Sequence, residues 1–202
     1  MILSIAHSKG GCGKSSIALN IAPLIKNLIM IDLDTQNSIT QINKIRKKQH
    51  KIKTATNQKE FFNLLDKYEE KNILIDCGGI DSDMNRLAVA NSDIVLIPVK
   101  DNSFEILALN RFLSVIDKIK EKNKQLKVLI VINNVHYKIK DFSRLNQIVK
   151  NNKNVSLLKT IIRSRADFAN YLEIGTTVIE KVPDSKAAKE IKKLYKEIKD
   201  FT

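Results

Sequence analysis

Five short runs of apolar residues recur along the chain, and none of them has a polar face. They cover positions 2–6, 28–33, 72–77, 93–99 and 127–133, and each contains Ile or Val. Continuous apolar runs rich in β-branched residues are typical of strands that are buried on both faces of a parallel sheet. A sixth run at 155–162 has the same character and predicts a further strand.

Stretches with helical spacing separate these runs. Apolar residues recur every three or four positions in 15–25, 59–68, 105–119, 142–150 and the tail 184–201. This alternation predicts an α/β fold with a doubly wound, mostly parallel sheet and helices on both of its faces. The chain has no repeat, long linker or Pro- or Gly-rich hinge, so we expect a single domain over 1–202.

Composition excludes several classes of protein. Apolar residues make up 43% of the chain and charged residues 28%, which argues against disorder. No apolar run approaches the roughly 18–20 residues of a membrane span, and the first residues lack the basic region and cleavage site of a signal peptide. Cys12 and Cys77 are too few for a disulfide or zinc framework, so we expect reduced thiols in a cytoplasmic protein.

Positive charge is concentrated in the second half of the chain. Residues 1–101 carry 14 basic and 11 acidic side chains, whereas residues 102–202 carry 21 and 11, which gives net charges of +3 and +10. A basic half is the electrostatic footprint of a protein that binds a polyanion. Lysines that are merely solvated on the surface give the same count, and charge alone does not separate the two interpretations.

The segment "HSKGGCGKSS" at 7–16 joins the first predicted strand to the first predicted helix. Glycines in such a loop allow positive φ, which turns backbone N–H groups inward around a phosphate. We expect this conformation at Gly10, Gly11 and Gly13. Lys14 is then placed to reach the β- and γ-phosphates, and the hydroxyl of Ser15 to bind Mg²⁺. A glycine-rich turn without a ligand is the alternative, and this strand–loop–helix context argues against it.

Two positions of this loop depart from the ordinary pattern G-x-x-x-x-G-K-[ST]. The pattern requires a glycine six residues before Lys14, but Ser8 occupies that position. Lys9 is a second lysine that the pattern does not require.

Aspartates follow two of the other apolar runs. Asp32 and Asp34 stand at the end of the second run in "DLDTQNS", and Asp76 ends the third in "ILIDCGG". Each alone reads as a helix cap or a turn residue. Because the carboxyl ends of parallel strands meet at one edge of a sheet, together with the loop they predict one crevice.

These three segments resemble, in order and spacing, the deviant Walker A, Walker A′ and Walker B motifs of the ParA/MinD family of ATPases. Later segments at 90–109 and 160–198 are similar to the same family, so the resemblance covers nearly the whole chain. It is greatest to the short plasmid-partition (ParF-like) members, which lack an N-terminal DNA-binding extension. The stretch from Lys14 to Asp32 is shorter than is usual in the family, and Cys77-Gly78-Gly79 replaces its more common Thr-Pro-Pro.

The resemblance implies a P-loop ATPase that binds ATP/ADP and Mg²⁺ and forms a homodimer around ATP. Lys9 would reach across the dimer to the partner's phosphates, Asp34 would position the attacking water, and Asp32 would support the metal shell. The implied catalytic residues are Lys9, Lys14 and Asp34. The implied metal residues are Ser15, Asp32 and Asp76. The implied nucleotide-binding residues are Lys9, Gly10, Gly11, Cys12, Gly13, Lys14, Ser15, Ser16, Asn133 and, near the adenine, Pro183.

The resemblance also implies nonspecific DNA binding by basic side chains of the C-terminal half. The candidates are Arg163, Arg165, Lys181, Lys189 and Lys192, with Lys186 and Lys193 as additions. Each lysine taken singly reads as part of a solvated helix face. The implied role is weak ATPase activity in chromosome or plasmid partition, stimulated by a ParB-like or other centromere-binding adaptor, in a cytoplasmic, nucleoid-associated protein.

Three alternatives stay open at this point. A ParA-like ATPase can position a cargo that is not DNA, a MinD-like protein can act at a membrane, and a nucleotide-binding scaffold can have negligible turnover. The final predicted helix ends at Thr202 without an appended amphipathic segment, so we do not expect a membrane partner. Cys12 and Cys77 stand inside motifs and are poor candidates for the cluster-binding pair of the iron-protein branch.

Overall fold

Parallel strands form the centre of the protein, in a computed structural model that describes residues 1–78 and 82–202. Within these ranges one seven-stranded sheet has the order β3-β2-β4-β1-β5-β6-β7, and every neighbouring pair is parallel. The strands are β1 (Ile2–Ile5), β2 (Leu28–Asp32), β3 (Ile52–Thr54), β4 (Asn72–Asp76), β5 (Ile94–Val99), β6 (Lys127–Val135) and β7 (Val155–Arg163). The predicted parallel α/β sheet is therefore confirmed.

Helices connect the strands and cover both faces. They are α1 (Lys14–Ile21), α2 (Ser38–Lys44), α3 (Gln58–Lys67), α4 (Asp83–Ala90), α5 (Ser103–Lys122), α6 (Ser143–Asn151), α7 (Ala166–Glu173), α8 (Val178–Lys181) and α9 (Lys186–Lys199). The predicted helix over 15–25 is shorter in the structure. It ends at Ile21 and continues as a 3₁₀ turn over Ala22–Leu24, because Pro23 has no N–H with which to extend an α-helix.

Two apolar clusters lie on opposite faces of the sheet. Large side chains of α3 and α5, such as Phe61 and Phe112, are fully buried against one face. Helices α1 and α9 bury Leu19 and Leu194 against the other. Burying a side chain of this size contributes about 1.5–3 kcal/mol, so the doubly wound arrangement is stabilised from both sides. No helix in the described ranges combines the length and apolar character needed to cross a membrane.

The strand order reverses at β1, which lies between β4 and β5. At such a switch point the flanking loops diverge and leave a crevice outside the carboxyl ends of the strands. The register pairs Ile5 with Asp76 and Asp32 with Asp76, so β1, β2 and β4 end at the same level. The three motifs therefore meet at this edge of the sheet, where the crevice is expected.

Candidate nucleotide site

The loop between β1 and α1 has the conformation of a phosphate loop at two of its three glycines. Gly11 has φ 72° and Gly13 has φ 94°, and both values favour glycine strongly. A Cβ atom at Gly13 would also collide with the side-chain amide of Asn133. Gly10 is not among the glycines with positive φ, so the expectation of positive φ there is wrong. The turn needs the left-handed conformation only at the two glycines nearer the helix.

Lys14 is a buried cation that has no anionic partner in the part of the chain that the structure describes. Its side chain belongs to a residue that is 7% exposed, and its Nζ donates to the carbonyl oxygen of Lys9 at 3.1 Å. Among the described residues, no carboxylate lies within ion-pair distance of Lys14. A buried charge without a counter-charge is unfavourable. An anion in this loop, such as a phosphate, would remove that penalty.

Asp76 is a buried carboxyl group in the complementary situation. It is fully buried, and neither carboxylate oxygen has a hydrogen-bond partner of ordinary geometry within the described ranges. Burial raises the pKa of Asp76 to about 7, although the nearby hydroxyl of Ser15 acts in the opposite direction. A carboxylate and a hydroxyl at the base of a phosphate loop are ligands that suit Mg²⁺.

The described ranges contain no group of three or more His, Cys, Asp or Glu side chains arranged around a cation. This agrees with the ordinary behaviour of Mg²⁺, which is bound through one or two carboxylates together with substrate phosphates and water. The donor set at Asp76 and Ser15 therefore fits Mg²⁺ that arrives with a nucleotide.

Asp32 and Asp34 differ in their surroundings although both follow β2. Asp32 is 2% exposed and accepts hydrogen bonds from Thr40 Oγ1 at 2.6 Å, from the Thr40 N–H at 3.1 Å and from the Asp34 N–H at 3.2 Å. Burial raises the pKa of Asp32, and these bonds oppose the increase. Asp34 lies two residues beyond β2, is half-buried, and accepts from the Gln36 N–H at 3.0 Å. Asp32 thus orders this loop, whereas the Gln36 N–H bond leaves one oxygen of Asp34 without a hydrogen bond among the described residues.

Gly78 permits the close approach between this loop and the end of β4. A Cβ atom there would lie 3.2 Å from the Cα of Asp34. The motif that begins at Cys77 and Gly78 continues to Gly79, which lies outside the described residues.

Lys9, the second lysine of the loop, has two contacts that sequence reasoning missed. Its N–H donates to Nδ1 of His7 at 2.9 Å, and its Nζ forms an ion pair with Oε1 of Glu105 at 2.8 Å. His7 is fully buried, and burial lowers its pKa to about 4, so the ring is neutral and Nδ1 can accept. Glu105 follows the N-cap Asn102 by three residues, so in sequence it reads as an ordinary first-turn acid of α5.

A pocket of about 380 Å³ opens beside the helix end of the phosphate loop. Its wall includes Gly13, Ser16, Asn133, Arg165, Phe168 and Leu172. Asn133 Nδ2 donates to the Cys12 carbonyl at 2.6 Å, which ties the end of β6 to the loop. Pro183, expected near the base, does not line this pocket. Phe168 and Leu172 in the wall belong to helix α7, which was not predicted from the sequence.

The two arginines predicted to bind DNA are engaged in contacts within the protein. Both line the pocket. Arg163 donates from Nη1 to the carbonyl oxygens of His136 at 3.1 Å and Ile139 at 2.7 Å. Arg165 forms an ion pair with Glu190 at 2.6 Å, which raises the pKa of the guanidinium. Both side chains are therefore fixed at the junction between this pocket and α9.

The predicted lysines lie on more open surface. All five are exposed: Lys181, Lys186, Lys189, Lys192 and Lys193. Lys192 also donates a hydrogen bond to the Pro183 carbonyl at 2.7 Å. Positions 186, 189 and 193 follow helical spacing, so they share one face of α9, opposite the buried Ile191 and Leu194.

Fold and loop together define a P-loop nucleotide-binding protein, and comparison with known proteins makes this assignment more specific. The family described as "CobQ/CobB/MinD/ParA nucleotide binding domain" (CbiA) matches residues 3–178. The chain therefore belongs to this family of nucleotide-binding ATPases, as the motif resemblance predicted.

Named relatives come from several branches. The maintenance of carboxysome distribution protein A of Halothiobacillus neapolitanus is 24% identical over 208 residues, which cover 97% of this chain and 95% of that protein. The MinD cell division protein of Aquifex aeolicus aligns with a TM-score of 0.77 and 16% identity, over 98% of this chain and 96% of that one. A putative plasmid partition protein of Borrelia burgdorferi B31, bound to AMPPNP, aligns with a TM-score of 0.70 and 19% identity, over 99% and 98%. At these identities the two structures establish the shared fold.

Proposed function

We propose that the protein is a DNA-segregation ATPase that dimerises around ATP, binds nonspecific DNA as the dimer, and hydrolyses ATP slowly until a partner protein stimulates it. The observation that carries the nucleotide part is a pair of buried groups at the phosphate loop: within the described ranges Lys14 has no ion-pair partner, and neither oxygen of Asp76 has a hydrogen bond of ordinary geometry. A magnesium–nucleotide complex is both anion and cation, so it can satisfy the two groups together.

Different residues around the phosphate loop would contact the phosphates and the Mg²⁺ ion. The N–H groups of Gly10–Gly13 and the N-terminus of α1 would surround the phosphates, Lys14 would contact the β- and γ-phosphates, and Ser16 the α-phosphate. Ser15 and Asp76 would hold Mg²⁺, which when bound neutralises charge that develops on the transferred phosphoryl group. Asp32 would support this arrangement by fixing the Asp34 loop.

Hydrolysis requires a positioned water and a second cation. Asp34 is the candidate for orienting the water because it is half-buried at the rim of the crevice. Lys9 is the candidate for the second cation, supplied to the nucleotide of the partner subunit in the manner of an arginine finger. The protein would therefore be most active as a dimer.

The proposed DNA surface is the exposed face of α9 with Lys186, Lys189 and Lys193, next to the pocket wall that contains Arg163 and Arg165. The net charge of +10 on residues 102–202 supports this placement. Through this surface the dimer would associate with the nucleoid.

ATP-dependent retention on DNA across a salt series tests the proposal. We expect retention with ATP, none with ADP, and a steep decrease with salt, about 0.9 in the log–log slope for each phosphate contact. Equal retention with ATP and ADP, or none at low salt, would contradict it.

A second candidate is a positioning ATPase whose cargo is a protein assembly. The similarity to a carboxysome distribution protein favours it. The stimulating partner separates the two functions. A DNA-binding adaptor that accelerates ATP hydrolysis supports segregation, whereas acceleration by a protein attached to a cargo supports positioning.

A further inference from the structure

The ion pair between Lys9 and Glu105 occupies the lysine that the proposed dimer needs. The Nζ–Oε1 distance is 2.8 Å, and the two side chains are 40% and 3% exposed. Glu105 lies in the first turn of α5, which follows β5, and β5 is the neighbour of β1. The pair therefore joins the phosphate loop, which follows β1, to the first turn of α5, which follows the neighbouring strand β5. A second link, from Ser8 Oγ to the Ala108 carbonyl at 3.2 Å, holds the same two segments together.

Glu105 depends on Lys9 for its charge compensation. Within the described ranges, Lys9 is the one cation in ion-pair contact with Glu105, and the other carboxylate oxygen, Oε2, is buried without a hydrogen-bond partner. The neighbouring imidazole of His7 is neutral, so it does not replace Lys9 as a cation. If Lys9 moves away, the buried carboxylate of Glu105 keeps its desolvation cost but loses the cation that offsets it, which is unfavourable. The contact thus keeps the lysine within its own subunit.

A separate hydrogen bond connects Lys9 to Lys14, the lysine proposed to contact the phosphates. Lys14 Nζ donates to the carbonyl oxygen of Lys9 at 3.1 Å, so both lysines meet at one residue. A phosphate that draws Lys14 away removes one of the bonds that hold the backbone at Lys9. An ammonium neutralised by a carboxylate at 2.8 Å is also a weak ligand for a second anion, because much of its charge is already compensated.

We propose that Glu105 is a positioning residue that retains Lys9 in the free subunit, and that the Lys9–Glu105 ion pair must break when nucleotide-bound subunits close into a dimer. This inference rests on the proposed ATP-dependent dimer. Because each subunit has one such pair, two pairs break for each dimer formed, and both add to the free energy needed to form the dimer. Glu105 thereby sets the protein concentration at which ATP produces dimers.

Two substitutions at Glu105 and two measurements test the proposal. Glu105→Gln keeps the size of the side chain and removes its charge, and Glu105→Ala removes the carboxylate without adding an amide. Glu121→Gln, on an exposed position near the other end of α5, is the matched control. Thermal unfolding of each variant checks that the subunit is folded.

The first measurement concerns the nucleotide-free monomer. Acetylation of the Lys9 amine by a dilute acylating reagent, followed by mass spectrometry, reports how freely the amine reacts. We expect it to react several times faster in both Glu105 variants than in the wild type, with the control unchanged. An unchanged rate at Lys9 would overturn the proposal, since the carboxylate would not be holding the amine.

The second measurement is the subunit concentration that gives half dimerisation in saturating ATP, from sedimentation velocity. The wild-type dimer forms only after two Lys9–Glu105 ion pairs have broken, and the variants have no such pairs to break. We therefore expect the Glu105 variants to reach half dimerisation at a subunit concentration on the order of tenfold lower. A wild-type ATP dimer whose midpoint does not move, or moves upward, in the variants overturns the role of Glu105 and leaves the proposed function standing. A wild type that forms no dimer with ATP overturns both.

Discussion

The phosphate loop and helix α9 both carry positive charge, but they hold it in opposite ways. In the loop, Lys14 is 7% exposed and makes a defined contact with the backbone of Lys9. On α9, Lys186, Lys189 and Lys193 are exposed and project from a helix whose opposite face is core. A buried charge is uniquely positioned and hard to replace, whereas an exposed charge is screened and shares its role with its neighbours.

Single substitutions should therefore act differently in the loop and on α9. One change in the loop removes a geometry that no other residue supplies. One change on α9 removes a fraction of a distributed field. Function should therefore fail sharply at the loop and gradually at the helix.

The largest expected effect is that of Lys14→Ala on nucleotide binding. Loss of a buried cation that faces the phosphates should weaken ATP binding on the order of 100-fold. Titration with a fluorescent ATP analogue measures it, and Lys26→Ala, at an exposed position, is the control. An affinity near that of the wild type would show that the phosphates bind elsewhere.

Gly13→Ala should break the loop through its backbone. The φ of 94° is strained for alanine, and the new Cβ would meet the amide of Asn133. We expect a loss of about 2 kcal/mol in the free energy of unfolding, measured in urea. Gly10→Ala is the matched control, because among the described residues no heavy atom beyond its chain neighbours lies within 4 Å of its added Cβ. Equal losses at both positions would contradict the geometry described for the loop.

His7 should make the stability of the folded protein depend on pH. Its pKa falls from 6.5 to about 4 on folding, so the unfolded chain takes up a proton below about pH 6.5 while the folded chain does not. Stability from this group is present above that pH and is lost as the pH falls toward 4. We expect the wild type to lose about 1–2 kcal/mol between about pH 7 and pH 5 relative to His7→Asn, which can still accept the Lys9 N–H.

Denaturant unfolding at the two pH values measures this difference, with His136→Asn on an exposed loop as the control. The comparison between chains cancels the contribution of Asp76, whose raised pKa acts in the opposite direction over the same range. Parallel pH profiles for the wild type and His7→Asn would show that the ring titrates normally.

The smallest single effects belong to α9. Replacing Lys186, Lys189 or Lys193 by Ala should lower the log–log salt slope of DNA binding by about 0.9, and replacing all three by about 2–3. A triple replacement of Lys118, Lys120 and Lys122, in the C-terminal turns of α5, is the control and should leave the slope unchanged. A loss of all DNA binding from one lysine would contradict a distributed surface.

Much of this fold followed from local pattern. Strands such as β5 are continuous apolar segments, and the loop at 7–16 has glycines and lysines at fixed spacing, so both could be predicted without tertiary information. Strand β3 could not, because it is a three-residue edge strand with a lysine at its centre. Helix α7 and its part of the pocket wall were missed in the same way, since eight residues carry too little periodicity.

The site contacts that escaped prediction join residues far apart in the sequence. Strands β2 to β5 lie between Lys9 and Glu105 in the sequence, although the two side chains form an ion pair. Arg165, which directly precedes α7, likewise contacts Glu190 of α9. Nothing in the spacing of either pair indicates a contact. Only the packing of α5 and α9 against the sheet brings these charges together.

The central claim is that Lys9 serves the nucleotide of a partner subunit rather than its own. Sedimentation velocity of the wild type and Lys9→Ala, in saturating ATP and beside a nucleotide titration, tests it most directly. We expect a wild-type dimer and a Lys9→Ala monomer that still binds ATP within about threefold of the wild-type affinity. A Lys9→Ala chain that dimerises as the wild type does, or that no longer binds ATP, would contradict the account.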